Sequence, residues 1–332
     1  MKKTILAFSR ITPAMADRLR EHYEVIIPSP ALGNLNTQFE KALPEAHGLI
    51  GAGRKLGSKQ LCTAERLEVV SSVSVGYDNY DLGYLTERGI MLTNTPDVLT
   101  ESTADLAFSL ILGSARRIAE LDAWTKAGNW TRTLEAAQFG CDVFGKTLGI
   151  VGLGNIGSAV ARRGRLGFGM NILYSGNTPK PELEHALDAR FVPLDELLAN
   201  ADFVCLVVPL NANTRHLIGE RELQLMKPSA ILVNVSRGPV VDEQALIAAL
   251  EQGRIRGAGL DVYEREPLSA SPLFSLPNAL TLPHIGSATD ETRLAMADRA
   301  VENMIAALEG HRPRDLVNPE VWRPDGNHGP VN

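Results

Sequence analysis

The sequence predicts an α/β protein built from two doubly wound parallel-sheet domains. Three observations carry this expectation. Strand-like and helix-like segments alternate with short connections, the pattern of a parallel sheet covered by helices on both faces. The 332 residues exceed what one core usually organises, so two domains are expected. In mid-chain, Thr147-Leu-Gly-Ile-Val-Gly-Leu-Gly-Asn-Ile-Gly157 runs an apolar strand straight into a glycine-rich turn and the start of a helix.

The elements follow in order. Thr4 to Phe8 reads as the first strand, Pro13 to His22 as a helix capped by Thr12, and Tyr23 to Ile27 as the second strand, stopped by Pro28 and Pro30. Gly48 to Gly51 and Glu68 to Val73 read as strands separated by the helical stretch Ser58 to Glu65, and Met91 to Thr93 closes this half. From Glu101 to Ala127 the chain is helix-compatible almost without interruption, long enough to bridge two domains. After the glycine turn come strands at Met170 to Tyr174, Phe191-Val192, Asp202 to Val208, Ala230 to Val235, Gly257 to Asp261 and Ala279 to Leu282, with a helix at Leu194 to Ala199. A last amphipathic helix, Asp290 to Glu309, places Leu294, Ala297, Val301, Ile305 and Leu308 at helical spacing. The tail beyond Trp322, rich in Pro, Gly and Asn, reads as mobile.

Composition narrows the function class. A hydrophobic content of 44% with 22% charged residues is ordinary for a globular protein, and a net charge of -6 gives no reason to expect nucleic acid or an anionic membrane as partner. The run Ile5 to Phe8 is too short for a signal peptide and no stretch approaches a membrane span. Cys62, Cys141 and Cys205 are isolated and lack metal-ligand spacing, so reduced thiols, a cytoplasmic location and no metal are expected.

Chemistry is expected where doubly wound sheets bind ligands, at the carboxyl ends of the strands. In the central motif Gly152 suits the tight turn, Gly154 lets backbone approach a pyrophosphate, and Gly157 lets the helix lie close on the strand. The helix N-terminus then offers unpaired N–H groups to phosphate. Further along, three strand ends are followed by Arg237, by Asp261 and Glu266, and by His284. Any one of Arg237, Glu266 and His284 is equally a surface ion-pair or capping residue; their joint occurrence in one nucleotide-binding sheet points to catalysis.

These motifs make the chain recognisable. Through Gly152-x-Gly154-x-x-Gly157, Arg237-Gly-Pro-Val-Val-Asp242, Gly259 to Pro267, Pro283-His284-Ile-Gly286 and the earlier Ser74-Val-Gly76-Tyr-Asp78-Asn79-Tyr-Asp81, it resembles the D-isomer-specific 2-hydroxyacid dehydrogenases over nearly its whole length. Within them it is similar to bacterial 2-ketogluconate reductases, which overlap with glyoxylate and hydroxypyruvate reductases. The resemblance implies a Rossmann cofactor domain, residues 101–289, inserted in a flavodoxin-like substrate domain, residues 1–100 and 290–332. It implies that Val75 and Gly76 bind the substrate carboxylate through backbone N–H groups and that Asp261 holds the nicotinamide carboxamide. It also implies a cofactor cleft lined by Asn155, Ile156, Val208, Pro209, Thr214, Val235, Ser236, Gly286 and Thr103.

Reduction of a ketone turns its oxygen into an alkoxide, so a proton donor must stand beside it, and His284 suits that role with Glu266 stabilising the imidazolium. Arg237 offers a planar fork to the carboxylate of a 2-keto acid. NAD enzymes usually place an acidic residue about 20 residues beyond the glycines. Here Ser175, Asn177, Thr178 and Lys180 stand instead, so NADP(H) is the expected preference with NAD(H) possible. Arg54 is a candidate for the hydroxyls of a sugar acid and equally a solvated basic turn; Ser287, Leu99 and Thr100 are weaker candidates. The expected reaction is 2-ketogluconate to gluconate, with glyoxylate and hydroxypyruvate as overlapping substrates. One alternative takes glyoxylate and hydroxypyruvate as the main substrates. An NAD(H)-responsive corepressor shares the fold and stays open. Formate dehydrogenases typically replace the Glu of the pair by Gln, and phosphoglycerate dehydrogenases usually keep the acidic residue that Ser175 replaces. A homodimer is expected, with the Trp130 to Phe144 loop at its interface.

Overall fold

A computed structural model describes residues 2–323. The tail beyond Trp322 lies outside these residues except for Arg323. The chain divides into two compact units, one of residues 1–99 and 288–332 and the other of residues 100–287.

The first unit runs β1 (Thr4–Ala7), α1 (Pro13–Arg20), β2 (Glu24–Ile26), α2 (Leu35–Ala42), β3 (Gly48–Gly51), α3 (Ser58–Leu61), β4 (Val69–Ser72), α4 (Leu82–Glu87) and β5 (Met91–Thr93). Its five strands are all parallel in the order β2-β1-β3-β4-β5, a flavodoxin-like winding. Thr12 caps α1 by accepting from Met15 N–H, as the sequence predicts, and Asn34 caps α2, a helix the sequence pattern did not announce.

The second unit runs α5 (Thr100–Ala115), α6 (Ile118–Lys126), β6 (Thr147–Val151), α7 (Asn155–Arg162), β7 (Asn171–Ser175), α8 (Pro181–Leu187), β8 (Ala189–Phe191), α9 (Leu194–Asn200), β9 (Phe203–Leu206), α10 (Glu220–Leu225), β10 (Ile231–Asn234), α11 (Glu243–Glu251), β11 (Gly257–Leu260) and β12 (Ala279–Thr281). Its seven parallel strands lie in the order β12-β11-β10-β9-β6-β7-β8. Alternate residues feed two separate cores: Phe203 and Cys205 of β9 enter one, Val204 and Leu206 the other. Burial on both faces is why these strands read as unbroken apolar runs. The chain then returns to the first unit as α12 (Asp290–Leu308), where the Ser71 hydroxyl of β4 donates to Ala300 O at 2.8 Å.

The bridge between residues 101 and 127 is two helices rather than one. Arg117 takes a left-handed φ of 54° and ends the run. It is held there by Glu120, 2.6 Å away, and by the carbonyl of Ala137, while Cys141 N–H takes the Ala115 carbonyl that a continuing helix would have used. Periodicity cannot show this break because two of the partners that make it, Ala137 and Cys141, lie 20 or more residues downstream. Among the described residues no helix is long and apolar enough to cross a membrane, and no group of three or more His, Cys, Asp or Glu could hold a metal.

Candidate active site

Three neighbouring strands, β10, β11 and β12, deliver the candidate catalytic groups at their carboxyl ends. Asn234, the last residue of β10, is buried and clamps the following turn: its Oδ1 accepts from the Ser236 N–H and hydroxyl, and its Nδ2 donates to Arg237 O. Arg237 in turn donates from Nη1 to Ser236 O at 2.8 Å. Gly238 follows because a Cβ there would run into the backbone of Tyr263 on the neighbouring loop. Only glycine lets these two loops touch.

On that neighbouring loop, Glu266 Oε1 accepts from Tyr263 N–H at 2.9 Å and Oε2 stands 2.6 Å from Nδ1 of His284. Burial pushes the Glu266 carboxyl up, but the hydrogen bond with His284, the Tyr263 N–H and the charges of His284 and Arg237 outweigh it and leave the carboxyl below its ordinary range. The ionised carboxylate therefore takes an Nδ1 proton, which leaves Nε2 as the ring nitrogen turned to other partners.

His284 itself sits at a φ of 55°, an unfavourable region for a residue with a Cβ. Asp261 holds the turn in place. It is 1% exposed and accepts from Ile285 N–H at 2.7 Å and Gly286 N–H at 2.8 Å, while the Gly286 carbonyl accepts from the hydroxyls of Ser102 and Thr103. Burial pushes the Asp261 carboxyl up despite those two N–H donors. Sequence reasoning gave Asp261 a cofactor contact but missed this anchoring, and it missed Asn234; a lone polar residue ending an apolar strand was the available signal for the second.

The glycine motif forms the candidate phosphate cradle. Gly152 adopts φ 98°, and its N–H donates to Ser175 O at 2.8 Å. A Cβ on Gly157 would strike the Gly152 carbonyl, whereas the position of a Gly154 Cβ faces open space. Asn155 and Ile156 begin α7 immediately after Gly154. Ser175, half-buried, ends β7, and Gly176 to Lys180 form the exposed loop after it. Thr214 folds its own loop by donating to Pro209 O at 2.6 Å, close in sequence to Val208, while Val235 and Ser236 are buried after β10. Ser287 is half-buried beside Gly286.

Val75 and Gly76 lie in the other unit, on the loop after β4. Their carbonyls accept from Asn94 Nδ2 and the Ser74 hydroxyl; the expectation that their N–H groups meet a carboxylate rests on the resemblance. Arg54 is also there, its guanidinium 4.0 Å over the Phe39 ring and bonded to Asn36, so its charge is engaged locally. A cavity of about 390 Å³ opens at the opposite, amino ends of β10, β11 and β12, away from His284.

Comparison with known proteins agrees with this architecture. Residues 108–286 match the model of the D-isomer specific 2-hydroxyacid dehydrogenase NAD binding domain. The chain is 48% identical over 322 residues to glyoxylate/hydroxypyruvate reductase B of Klebsiella pneumoniae subsp. pneumoniae, covering 97% of this chain and 100% of that one. Among solved structures it resembles an NADPH-dependent glyoxylate/hydroxypyruvate reductase from Sinorhizobium meliloti in complex with NADP and malonate, at 34% identity and TM-score 0.85, covering 97% and 99% of the two chains. It also resembles a glyoxylate reductase from Paecilomyes thermophila, at 34% identity and TM-score 0.83, covering 95% and 98%. With residues 108–286 matching its NAD binding domain and a 48%-identical relative matched over its whole length, the chain belongs to the D-isomer specific 2-hydroxyacid dehydrogenase family and is an NAD(P)-dependent enzyme.

Proposed function

We propose that this enzyme reduces glyoxylate and hydroxypyruvate to the corresponding hydroxy acids, preferring NADPH and accepting NADH. The observation that carries the reading is the 2.6 Å contact between His284 Nδ1 and Glu266, with Arg237 on the loop after the adjoining strand. The sequence pointed first to 2-ketogluconate. The name of the 48%-identical relative favours the alternative, and so does the local engagement of Arg54.

The cradle suits a dinucleotide: open space at Gly154, a helix N-terminus beside it, and close packing enforced at Gly157. Bound there, a nicotinamide nucleotide supplies the hydride. The chain supplies the proton and the electrostatics. His284 carries the transferable proton on Nε2, Glu266 holds the ring by Nδ1 and favours its charged form, and Arg237 grips the substrate carboxylate and polarises the adjacent carbonyl. Asp261 holds the turn that aims His284, and its remaining lone pairs would hold a nicotinamide carboxamide. Ser175, Asn177, Thr178 and Lys180 take the place of the acidic ribose-binding residue, and the NADP-bound relative supports the same choice.

Measurement of kcat/KM for glyoxylate, hydroxypyruvate and 2-ketogluconate with each cofactor tests the reading. Dominance of 2-ketogluconate would restore the first expectation, and tight NAD(H) binding without turnover of any substrate would favour a corepressor-like protein. We further propose a homodimer. Trp130, Leu134, Phe139 and Phe144, between α6 and β6, are exposed apolar side chains that a second copy would cover. A monomeric mass by light scattering at micromolar concentration would contradict this.

A further inference from the structure

We propose that Tyr174 is a positioning residue for cofactor specificity, its hydroxyl closing the Ser175–Lys180 loop into the shape that receives a 2'-phosphate. The inference rests on the reading of that loop as the 2'-phosphate site.

The loop is pinned at both ends. At its start the Ser175 carbonyl accepts from Gly152 N–H at 2.8 Å, which ties it to the phosphate turn. At its end Lys180 N–H donates to the Tyr174 hydroxyl at 2.6 Å, and that hydroxyl donates to Glu184 Oε1 at 2.7 Å. Tyr174 is 1% exposed, and its ring packs 5.2 Å from that of Phe191, so the hydroxyl is delivered from a rigid strand. Burial and the Glu184 carboxylate push the phenol up, so it remains a proton donor across the working pH range. The single proton goes to Glu184 and a lone pair takes Lys180 N–H, which employs the hydroxyl as both donor and acceptor.

Two consequences follow for an anionic ligand. The exposed residues Gly176 to Pro179 span a fixed gap, so Ser175, Asn177 and Thr178 present their donors without first having to order the loop. The Glu184 carboxylate, on the first turn of the helix that follows the loop, is also held on the hydroxyl. Removing that hydroxyl frees the loop end and releases the carboxylate beside a phosphate site. NADH carries no 2'-phosphate and is indifferent to both changes.

Tyr174→Phe keeps the buried ring and deletes only the hydroxyl. Steady-state kinetics with glyoxylate should show KM for NADPH rising about three- to tenfold, the effect of one lost hydrogen bond, with kcat unchanged. The NADH parameters should not move, and NADH turnover also reports that the variant is folded. Glu184→Gln leaves an acceptor for the hydroxyl and should retain the NADPH preference. Equal losses with both cofactors, an unchanged preference in Tyr174→Phe, or an equal fall of preference in Glu184→Gln would each overturn the inference. Wild-type enzyme without NADPH preference would overturn the underlying reading as well, whereas a wild-type preference that survives Tyr174→Phe would overturn this inference alone.

Discussion

Glu266→Gln removes one charge from the proposed catalytic pair while nearly keeping its shape. The carboxylate oxygen is 2.6 Å from His284 Nδ1, which puts the centres of the two delocalised charges about 4 Å apart; their attraction is then about 1 kcal/mol in water and about 4 kcal/mol at a protein-surface dielectric. The His284 side chain is 46% exposed and that of Glu266 31%, so solvent screening places the pair near the lower figure. At about 1.36 kcal/mol per tenfold in rate, the expected effect is about a fivefold fall in kcat/KM for keto-acid reduction at neutral pH. The sign follows from the state that the carboxylate supports, the charged ring that donates the proton. The Glu266 carboxyl lies below its ordinary range, so its contribution is complete above the ordinary carboxylate value and is lost as pH falls through the lower folded one. Rate profiles of wild type and variant should therefore converge in acid. A rate ratio that stays constant as pH falls would refute the electrostatic argument and leave Glu266 only an orienting role; full activity of the variant at neutral pH would remove it from the site.

Other substitutions probe the remaining parts. Arg237→Lys keeps the charge but loses the planar fork, so kcat/KM should drop by about a hundredfold or more while NADPH affinity by fluorescence titration changes little. Ser175→Asp puts a carboxylate at the start of the proposed 2'-phosphate loop, and the ratio of kcat/KM values should move toward NADH; equal losses with both cofactors would mean that Ser175 does not face the ribose. Asp202 accepts from Thr147 N–H and Lys227 Nζ, each at 2.9 Å; burial pushes its carboxyl up, but these donors outweigh it and the net value is lowered. Its contribution is therefore complete above the ordinary carboxylate value and lost as pH falls through the lower folded one. Asp202→Ala should cost about 1–3 kcal/mol in urea unfolding at neutral pH, with the gap from wild type narrowing in strong acid.

What the sequence determined by itself is local or periodic. The strand positions, the glycine turn before α7 and the Thr12 cap depend on residues within a few positions of each other, and burial of β9 on both faces is written in its unbroken apolar run. Arg237, Glu266 and His284 were legible as candidates because each follows a strand of one parallel sheet, whose carboxyl ends face the same way. Tertiary structure decided the rest. The break at Arg117 depends on Glu120 together with the distant Ala137 carbonyl, the left-handed turn at His284 on Asp261, and the loop contact at Gly238 on Tyr263. The Tyr174 hydroxyl closes its loop with a side chain that a strand pattern reads only as apolar. These features depend on hydrogen-bond and packing partners that only the fold brings together, and no pattern of spacing along the chain encodes which ones will meet.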